Sequence, residues 1–546
     1  MKILILCLLF FGSIGMVRSQ KYNHQDSLRG SIGKERAWWD VQKYSLSFEV
    51  YPSSKSIKGK NVIRYKVLSV QQEMQIDLQF PMKLVSVMQD GISLAVRDDG
   101  NAHFISLAKK QMVDSSYDVE IIFEGIPVRA KNPPWDGGFT WTKDKSGKDF
   151  VATSCQGIGA SLWWPCKDHM SDEPDQGMLI SVEVPKGLIA VSNGRLKSQS
   201  TTASTSTFIW EVLNPICNYG VNINIGNYVN FKELYAGEKG PLDMDFWVLK
   251  ENLEAAKIQF KDATRMMKAF EHWFGPYPFY EDSYKLVEVP YLGMEHQSSV
   301  TYGNKFKNGY LGSDLSGSGF GLKFDYIIIH ESGHEWFANN ITAKDNADLW
   351  IHESFTTYSE ALFVEYYYGK PAGATYVKGM RTRIDDVETV PLVGQYGVND
   401  SYSGNIYYKG SNVLHTLRQL VNSDEKWRSI LRGLNQEFYH QTVTTEQIES
   451  YIARESGLNL DAFFDQYLRD TRTPRLIYSI DKKNVLQFKW ESCIPTFDMP
   501  IKIKFEDKIL WIKPSTSWSS IKLNSKETIK DIVVDKSFYV NTHIVN

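Results

Sequence analysis

The stretch His330-Glu331-Ser332-Gly333-His334 is followed by Glu353, with eighteen residues between His334 and Glu353. On a helix, His330 and His334 lie one turn apart, so both imidazoles project from the same face and can bind one metal ion. A following helix would supply Glu353 as a carboxylate ligand. Two His and one Glu leave the fourth tetrahedral position to water, which is typical of a catalytic zinc site. The stretch therefore predicts one Zn²⁺ per chain, bound by His330, His334 and Glu353.

The residues on both sides of this motif are apolar. Tyr326-Ile327-Ile328-Ile329 precedes it, and Trp336-Phe337-Ala338 follows it. Polar side chains beside such apolar surface are costly unless they are paired or bound to metal. The neighbours therefore favour a metal site over the alternative, a helix that carries two polar residues and no ion.

Two further glutamates are candidates for the chemistry around this ion. Zinc would polarise water and a substrate carbonyl, and Glu331 would take the proton from that water and pass it to the leaving nitrogen. The alternative for Glu331 is a solvated helix side chain. Glu360 lies two turns after Glu353, where its carboxylate is predicted to hold a zinc-binding His through the other ring nitrogen. A surface salt bridge is the alternative for Glu360.

The whole chain has the composition of an ordinary soluble globular protein. It has 546 residues, of which 42% are apolar and 23% are charged, and its net charge is −3. That length predicts about two to four domains. The nearly balanced charge gives no reason to expect binding to nucleic acid or to an anionic membrane.

Residues 1–19 have the features of a secretory signal peptide. A short positive start, Met1-Lys2, precedes an apolar stretch over residues 3–17, and Val17-Arg18-Ser19 offers a cleavage site before Gln20. An uncleaved anchor is the alternative. No later stretch is long enough for a stable membrane span. We therefore expect an exported protein, periplasmic or secreted.

Four cysteines remain after the predicted cleavage, and none of them is in CxxC spacing: Cys155, Cys166, Cys217 and Cys493. They do not indicate a second zinc site or a redox pair. Their pairing stays open.

The hydrophobic period changes twice along the chain. Alternation typical of half-buried strands begins at Tyr44, Leu46, Phe48 and Val50, and predicts a mostly antiparallel β-domain over residues 20–230. Helical spacing over residues 253–274, and a capping box at Thr444 and Gln447, predict an α-rich domain over 231–474. Alternation returns after Pro474 and predicts a small β-domain over 475–546. The predicted class is multidomain α+β.

Other stretches around the motif carry a resemblance to a known family. They are Trp350-Ile351-His352-Glu353-Ser354-Phe355, Gly293-Met294-Glu295-His296, Tyr407-Tyr408-Lys409-Gly410, Cys155-Gln156 with Trp164-Pro165-Cys166-Lys167-Asp168, Phe274-Gly275-Pro276-Tyr277-Pro278, and Tyr467-Leu468 up to Pro474. Together with the metal motif, they resemble the gluzincin aminopeptidases, the family of aminopeptidase N and leukotriene hydrolase. The resemblance covers roughly residues 35–475 and implies a thermolysin-like zinc domain.

The resemblance also implies roles that spacing alone does not indicate. Glu295 would bind the free α-amine of a peptide, and Gln156 would hydrogen-bond the same amine. Tyr407 would donate its phenol hydrogen to the oxyanion of the tetrahedral intermediate. The alternatives are a salt-bridged edge carboxylate for Glu295, an ordinary loop amide for Gln156 and a core aromatic for Tyr407. Tyr402 is a candidate for the pocket wall.

Two histidines depart from the family pattern. His296 stands where the family has Asn, and His352 replaces the Asn before the third ligand. We expect them to affect how the amine is held or how Glu353 is supported. The family's large C-terminal helical domain has no counterpart in the 546 residues, which predicts a more open cleft.

These features favour a zinc aminopeptidase whose partners are peptides with a free N-terminus. One alternative is an endopeptidase or an epoxide hydrolase on the same zinc core, and Glu295 argues against internal cleavage. Another is a catalytically silent zinc protein that binds peptides. The preferred first residue and the oligomeric state stay open.

Overall fold

The structure is a computed structural model that describes residues 22–387, 389–400, 402–506, 508–525 and 532–545. The predicted signal peptide over residues 1–19 lies outside the described residues. Strand-rich regions flank a helical central region, which confirms the predicted α+β class.

The strands of the described residues are β1 (Trp39–Tyr51), β2 (Ser56–Val67), β3 (Glu73–Asp77), β4 (Lys83–Gln89), β5 (Ile92–Ser93), β6 (Ala95–Asp99), β7 (Ala102–Ser106), β8 (Ser116–Gly125), β9 (Gly138–Lys143), β10 (Asp149–Ser154), β11 (Met178–Pro185), β12 (Ile189–Val191), β13 (Arg195–Thr201), β14 (Thr205–Val212), β15 (Asn224–Gly226), β16 (Tyr228–Gly237), β17 (Gly240–Leu249), β18 (Tyr284–Glu288), β19 (Gly293–Met294), β20 (Val300–Tyr302), β21 (Ile341–Ala343), β22 (Gln441–Val443), β23 (Arg475–Ile480), β24 (Val485–Glu491), β25 (Ile501–Phe505), β26 (Lys508–Ile512), β27 (Ser519–Lys522), β28 (Val533–Val534) and β29 (Asn541–Ile544). The α-helices are α1 (His24–Gly30), α2 (Lys34–Ala37), α3 (Leu253–Gln259), α4 (Lys261–Phe274), α5 (Tyr326–Gly333), α6 (Trp350–Tyr368), α7 (Lys370–Gly379), α8 (Asn405–Val421), α9 (Asp424–Glu437), α10 (Thr445–Ser456) and α11 (Asp461–Phe464).

An eight-stranded sheet forms the frame of the N-terminal region. Its order is β13-β14-β11-β1-β2-β8-β4-β5, and every pair is antiparallel except β1 with β11. The alternating residues Tyr44, Leu46, Phe48 and Val50 of β1 are buried, as the period of two predicts. A four-stranded sheet, β12-β15-β10-β9, and a three-stranded sheet, β3-β7-β6, complete this region.

A five-stranded mixed sheet and helices α3 to α11 form the central region. The sheet order is β16-β17-β18-β20-β19, with β18 parallel to both β17 and β20. The edge strand β19 is antiparallel to β20 and ends at Met294, directly before Glu295. Glu295 therefore lies directly after the edge strand of the sheet.

The helix predicted over residues 253–274 is divided into α3 and α4. Phe260 separates them, because its backbone ψ of 0° departs from the α-helical value. Its ring is fully buried, at 5.4 Å from the ring of Phe246 and 4.9 Å from that of Tyr302. Aromatic packing at one position therefore interrupts a pattern that reads as continuous in the sequence. The capping box of Thr444 and Gln447 is present at the start of α10.

Two small sheets form the C-terminal region. Their orders are β27-β24-β23-β29 and β26-β25-β28. Their apolar faces share one core with the central region, and the Tyr467 hydroxyl donates to the Tyr539 carbonyl at 2.7 Å across the junction. Among the helices of the described residues, none is long and apolar enough to cross a membrane.

Candidate zinc site

The helix α5 carries the first part of the metal motif. Its N-terminus is capped by Asp325, whose carboxylate accepts hydrogen bonds from the amides of Ile327 and Ile328. The helix ends at Gly333, and His334 follows with helical φ and ψ of −64° and −18°. Both imidazoles therefore face the same side, as the four-residue spacing predicts.

Close packing between α5 and α6 brings the third ligand to this face. A Cβ atom on Gly333 would lie 2.7 Å from the Ser359 hydroxyl of α6, so a larger residue here would require Ser359 to move. The approach places Glu353, in the first turn of α6, against the two histidines. The glycine inside the motif thus allows the two helices to pack closely.

The three predicted ligands meet in the structure. Glu353 Oε2 lies 3.7 Å from His330 Nε2 and 3.4 Å from His334 Nε2. One ligand atom from each of the three residues lies within 4.8 Å of the others. Glu353 Oε2 is buried and has no hydrogen-bond partner among the described residues. A buried carboxylate oxygen that faces two imidazole nitrogens fits the donor set that zinc prefers.

The second nitrogen of each imidazole is held by an acceptor. His330 Nδ1 lies 2.7 Å from Glu360 Oε1, and the other Glu360 oxygen accepts a hydrogen bond from Tyr376 at 2.7 Å. His334 Nδ1 lies 3.1 Å from the Phe337 carbonyl. An acceptor at Nδ1 holds the proton there, so each neutral ring turns an unprotonated Nε2 toward the metal position. Glu360 occupies the place that its spacing predicts.

Glu360→Gln is expected to weaken zinc binding by about 10- to 100-fold, because the carboxylate orients His330 and raises its basicity as a ligand. Competition with a chromophoric chelator measures the affinity. Glu446→Gln, an exposed side chain on α10, controls for the loss of one negative charge. An unchanged zinc affinity in Glu360→Gln would mean that this contact does not support the ligand.

Glu295 and Glu331 lie beside the ligands. Carboxylate oxygens of both residues and a ring nitrogen of His334 lie within 4.8 Å of one another. Glu295 is 2% exposed, and its Oε1 atom has no hydrogen-bond partner among the described residues. Burial raises the pKa of Glu331 to about 7. The site therefore combines a carboxylate base with a second carboxylate, one of whose oxygens has no hydrogen-bond partner among the described residues.

Gln156 and Tyr407 both contact the third ligand. The Gln156 amide and the Tyr407 hydroxyl each donate to Glu353 Oε1 at 2.9 Å. The sequence predicts contacts with a substrate amine for Gln156 and with an oxyanion for Tyr407, and these hydrogen bonds add a further role. They fix Glu353 Oε1 and leave Oε2 facing the two histidines, which orients the carboxylate as a ligand through one oxygen.

A cavity of about 410 Å³ brings the site residues together. Its lining includes seven of the predicted residues, namely Gln156, Glu295, His330, Glu331, His334, Glu353 and Tyr407. Glu360 lies behind His330 and does not line the cavity. Tyr402, predicted for the pocket wall, lines it too.

Sequence reasoning missed several residues near the site. Trp135 lines the cavity from a turn, and Arg383 lines it from the end of a 3₁₀-helix, Met380–Arg383. The buried Tyr219 ring lies 6.5 Å from the His352 ring, and the negative charge of Glu295 adds to the effect of burial in raising the Tyr219 pKa. No local pattern marks these positions, because each depends on how the N-terminal and central regions meet.

The two unusual histidines are buried and neutral. Burial lowers the pKa of His296 and of His352 to about 3. His352 Nε2 accepts a hydrogen bond from the Ala343 amide at 2.7 Å, and His296 Nδ1 lies 3.3 Å from the Thr301 hydroxyl. The hydrogen bonds that support Glu353 come from Gln156 and Tyr407 instead. These two histidines hold nearby backbone and side-chain groups.

The sequence matches two family profiles. The Peptidase M1 N-terminal domain matches residues 41–219, and the Peptidase family M1 domain matches residues 258–467. Aminopeptidase B of Rattus norvegicus is 27% identical over 321 residues, which cover 56% of this chain and 46% of that protein. Leukotriene A-4 hydrolase of Xenopus laevis is 25% identical over 320 residues, which cover 56% and 49%. The chain spans about half the length of these relatives.

The fold is similar to that of a solved structure. A crystal structure of an M1 zinc metallopeptidase from Deinococcus radiodurans superposes with a TM-score of 0.65, covering 76% of this chain and 90% of that one at 19% identity. The two profiles together match more than half of the sequence and include every metal-ligand candidate. The chain belongs to peptidase family M1.

Proposed function

We propose that this protein is a zinc aminopeptidase that removes the N-terminal residue from peptides. The observation that carries the proposal is the buried carboxylate of Glu295 beside Glu331 and His334. Related proteins support it: one is named aminopeptidase B, and a structural relative was crystallised with a Tyr-Ser-Ala substrate.

Glu295 explains why cleavage would begin at a free N-terminus. An unpaired buried carboxylate is costly, and a protonated α-amine provides the opposite charge and the hydrogen-bond donors that reduce this cost. The first carbonyl of a peptide is close to its amine, so an amine at Glu295 places the first peptide bond near the ligands. Internal peptide bonds offer no such cation, which disfavours endopeptidase action.

His330, His334 and Glu353 would hold one zinc ion. When bound there, zinc supplies a Lewis acid that polarises water and the substrate carbonyl. A Glu331 carboxylate oxygen accepts the proton of the attacking water and then delivers it to the nitrogen of the leaving peptide. Burial supports this exchange, because it raises the pKa of Glu331 to about 7 and makes both protonation states accessible near neutral pH.

Tyr407 acts as the hydrogen-bond donor to the oxyanion. Burial and the nearby charge of Glu353 raise its pKa well above the usual range, so the phenol keeps its proton. Its hydroxyl donates to Glu353 Oε1 at 2.9 Å, next to the proposed metal position. The phenol is thus positioned to donate where negative charge develops.

Tyr407→Phe is expected to lower kcat by about 10²- to 10³-fold, since it removes one donor to the oxyanion. Zinc content should stay at one ion per chain. Tyr439→Phe removes a hydroxyl that donates to the Pro278 carbonyl, away from the site, and provides the matched control. A kcat in Tyr407→Phe equal to that of the control would rule out the donor role.

A panel of aminoacyl-arylamides, assayed with and without a zinc chelator, tests the proposed function. We expect hydrolysis to stop when the metal is removed and to return when zinc is added. Hydrolysis that persists in a metal-free protein would contradict the proposal, and zinc binding without turnover would favour a catalytically silent peptide-binding protein.

The proposal includes export through residues 1–19, whose composition is that of a secretory signal. N-terminal sequencing of the mature protein is expected to begin at Gln20. A mature chain that begins at Met1 would contradict cleavage.

A further inference from the structure

One guanidinium faces the cavity that contains the metal ligands. Arg383 is the single Arg or Lys among the described residues that line it, whereas Glu295, Glu331 and Glu353 supply three carboxylates. The cavity lining thus has one cationic side chain beside three carboxylates, and the mechanism proposed above does not use it.

Arg383 lines the cavity together with Tyr310 and Tyr408, and ring contacts connect both of these tyrosines to His330. The Tyr326 ring lies 5.3 Å from the His330 ring and 5.5 Å from the Tyr310 ring. The Tyr407 ring lies 6.2 Å from the His330 ring and 6.3 Å from the Tyr408 ring. The positive charge of Arg383 acts on the phenols at both ends, Tyr310 and Tyr408, where it opposes the rise in pKa that burial causes.

Glu295 lies next to Glu331 and His334. The same cavity is therefore lined by the Glu295 carboxylate beside the metal ligands and by the side chain of Arg383. A short peptide with free termini carries the complementary charges at its two ends.

The guanidinium of Arg383 is oriented but not paired. Its Nε atom donates to the Leu315 carbonyl at 2.7 Å, and among the described residues no carboxylate forms an ion pair with it. The side chain is exposed to solvent. A hydrogen bond at Nε fixes the plane of the group, and the two Nη atoms can bind a carboxylate in the bidentate geometry that favours Arg.

We propose that Arg383 binds the C-terminal carboxylate of short peptide substrates whose α-amine is held by Glu295. An extended tripeptide spans about 10–11 Å, and the two residues that would bind its ends, Glu295 and Arg383, line the same cavity of about 410 Å³. The substrate class is therefore short peptides with a free C-terminus. This inference rests on the proposed aminopeptidase function for the direction in which the peptide lies.

The test compares a tripeptide free acid with the same tripeptide as its C-terminal amide. For the zinc-loaded full chain, we expect kcat/KM to be about 10- to 100-fold higher for the acid, as a charge-assisted bidentate contact gives. In Arg383→Gln this ratio should fall to about one, and in Arg383→Lys it should be intermediate. The ratio is measured within each variant, so a general loss of folded enzyme cancels.

Two further substrates identify the source of the carboxylate. A hexapeptide acid and its amide should be cleaved at similar rates, because the C-terminus then lies beyond Arg383. A tripeptide amide with Glu at the third position tests whether an acidic side chain serves as well. If Arg383→Gln lowered kcat/KM for this substrate alone, the C-terminal assignment would be overturned. Arg64→Gln, which removes an exposed cation on β2, should keep the wild-type ratio.

Equal kcat/KM for acid and amide in the wild type, or a preference retained in Arg383→Gln, would overturn the inference. If the protein is not an aminopeptidase, the result differs, because aminoacyl-arylamides would then not be hydrolysed at all. In that case, calorimetric binding of the tripeptide acid and amide to the wild type and to Arg383→Gln still decides the role of Arg383.

Discussion

Glu331→Gln is expected to lower kcat for peptide hydrolysis by about 10²- to 10⁴-fold, the range typical of a removed general base. The amide keeps the size of the side chain but cannot accept the proton of the attacking water. A carboxylate oxygen of Glu331 lies within 4.8 Å of ligand atoms of His334 and Glu295. Steady-state kinetics on a free-amine peptide measure the effect.

Zinc content separates a lost base from a lost metal. Glu331 is not among the proposed ligands, so Glu331→Gln should bind one zinc ion per chain with wild-type affinity. Excess zinc should not restore its activity. Hydrolysis at the wild-type rate in a zinc-loaded Glu331→Gln protein would show that another group takes the proton.

Glu353→Gln is expected to remove both zinc and activity. The substitution replaces the anionic oxygen that lies 3.7 and 3.4 Å from the two imidazoles with a neutral amide, a poor zinc ligand. Loss of the Lewis acid should lower kcat/KM by about 10³-fold or more, equivalent to several kcal/mol of transition-state stabilisation. Elemental analysis after dialysis measures the bound metal.

The response to added zinc distinguishes this variant from Glu331→Gln. Millimolar zinc should partly restore hydrolysis by Glu353→Gln, because His330 and His334 remain in place, and should not restore Glu331→Gln. A Glu353→Gln protein that keeps tightly bound zinc after dialysis would contradict the assignment of the third ligand.

The metal-binding face could be predicted because it depends on local helical geometry. His330 and His334 lie one turn apart on or directly after α5, and Glu360 lies two turns after Glu353 on α6. Helical periodicity alone places such pairs on one face. The strand pattern of β1 was equally predictable, since one buried face requires a period of two.

The rest depends on contacts that no local pattern encodes. Gln156 reaches Glu353 across 197 positions of sequence, and Arg383 and Trp135 line the cavity from separate segments of the chain. Phe260 divides a periodic helix because of the aromatic residues packed around it. The family resemblance implies substrate contacts for Gln156 and Tyr407. It does not indicate that both side chains donate hydrogen bonds to Glu353.

The most direct test of the account is to assay one peptide with a free N-terminus and the same peptide after N-acetylation, using the zinc-loaded protein. Acetylation removes the positive charge that Glu295 is proposed to bind and leaves every peptide bond intact. We expect release of the first residue from the free peptide and no measurable cleavage of the acetylated one. Equal cleavage of both peptides would contradict the role of Glu295 and, with it, aminopeptidase action.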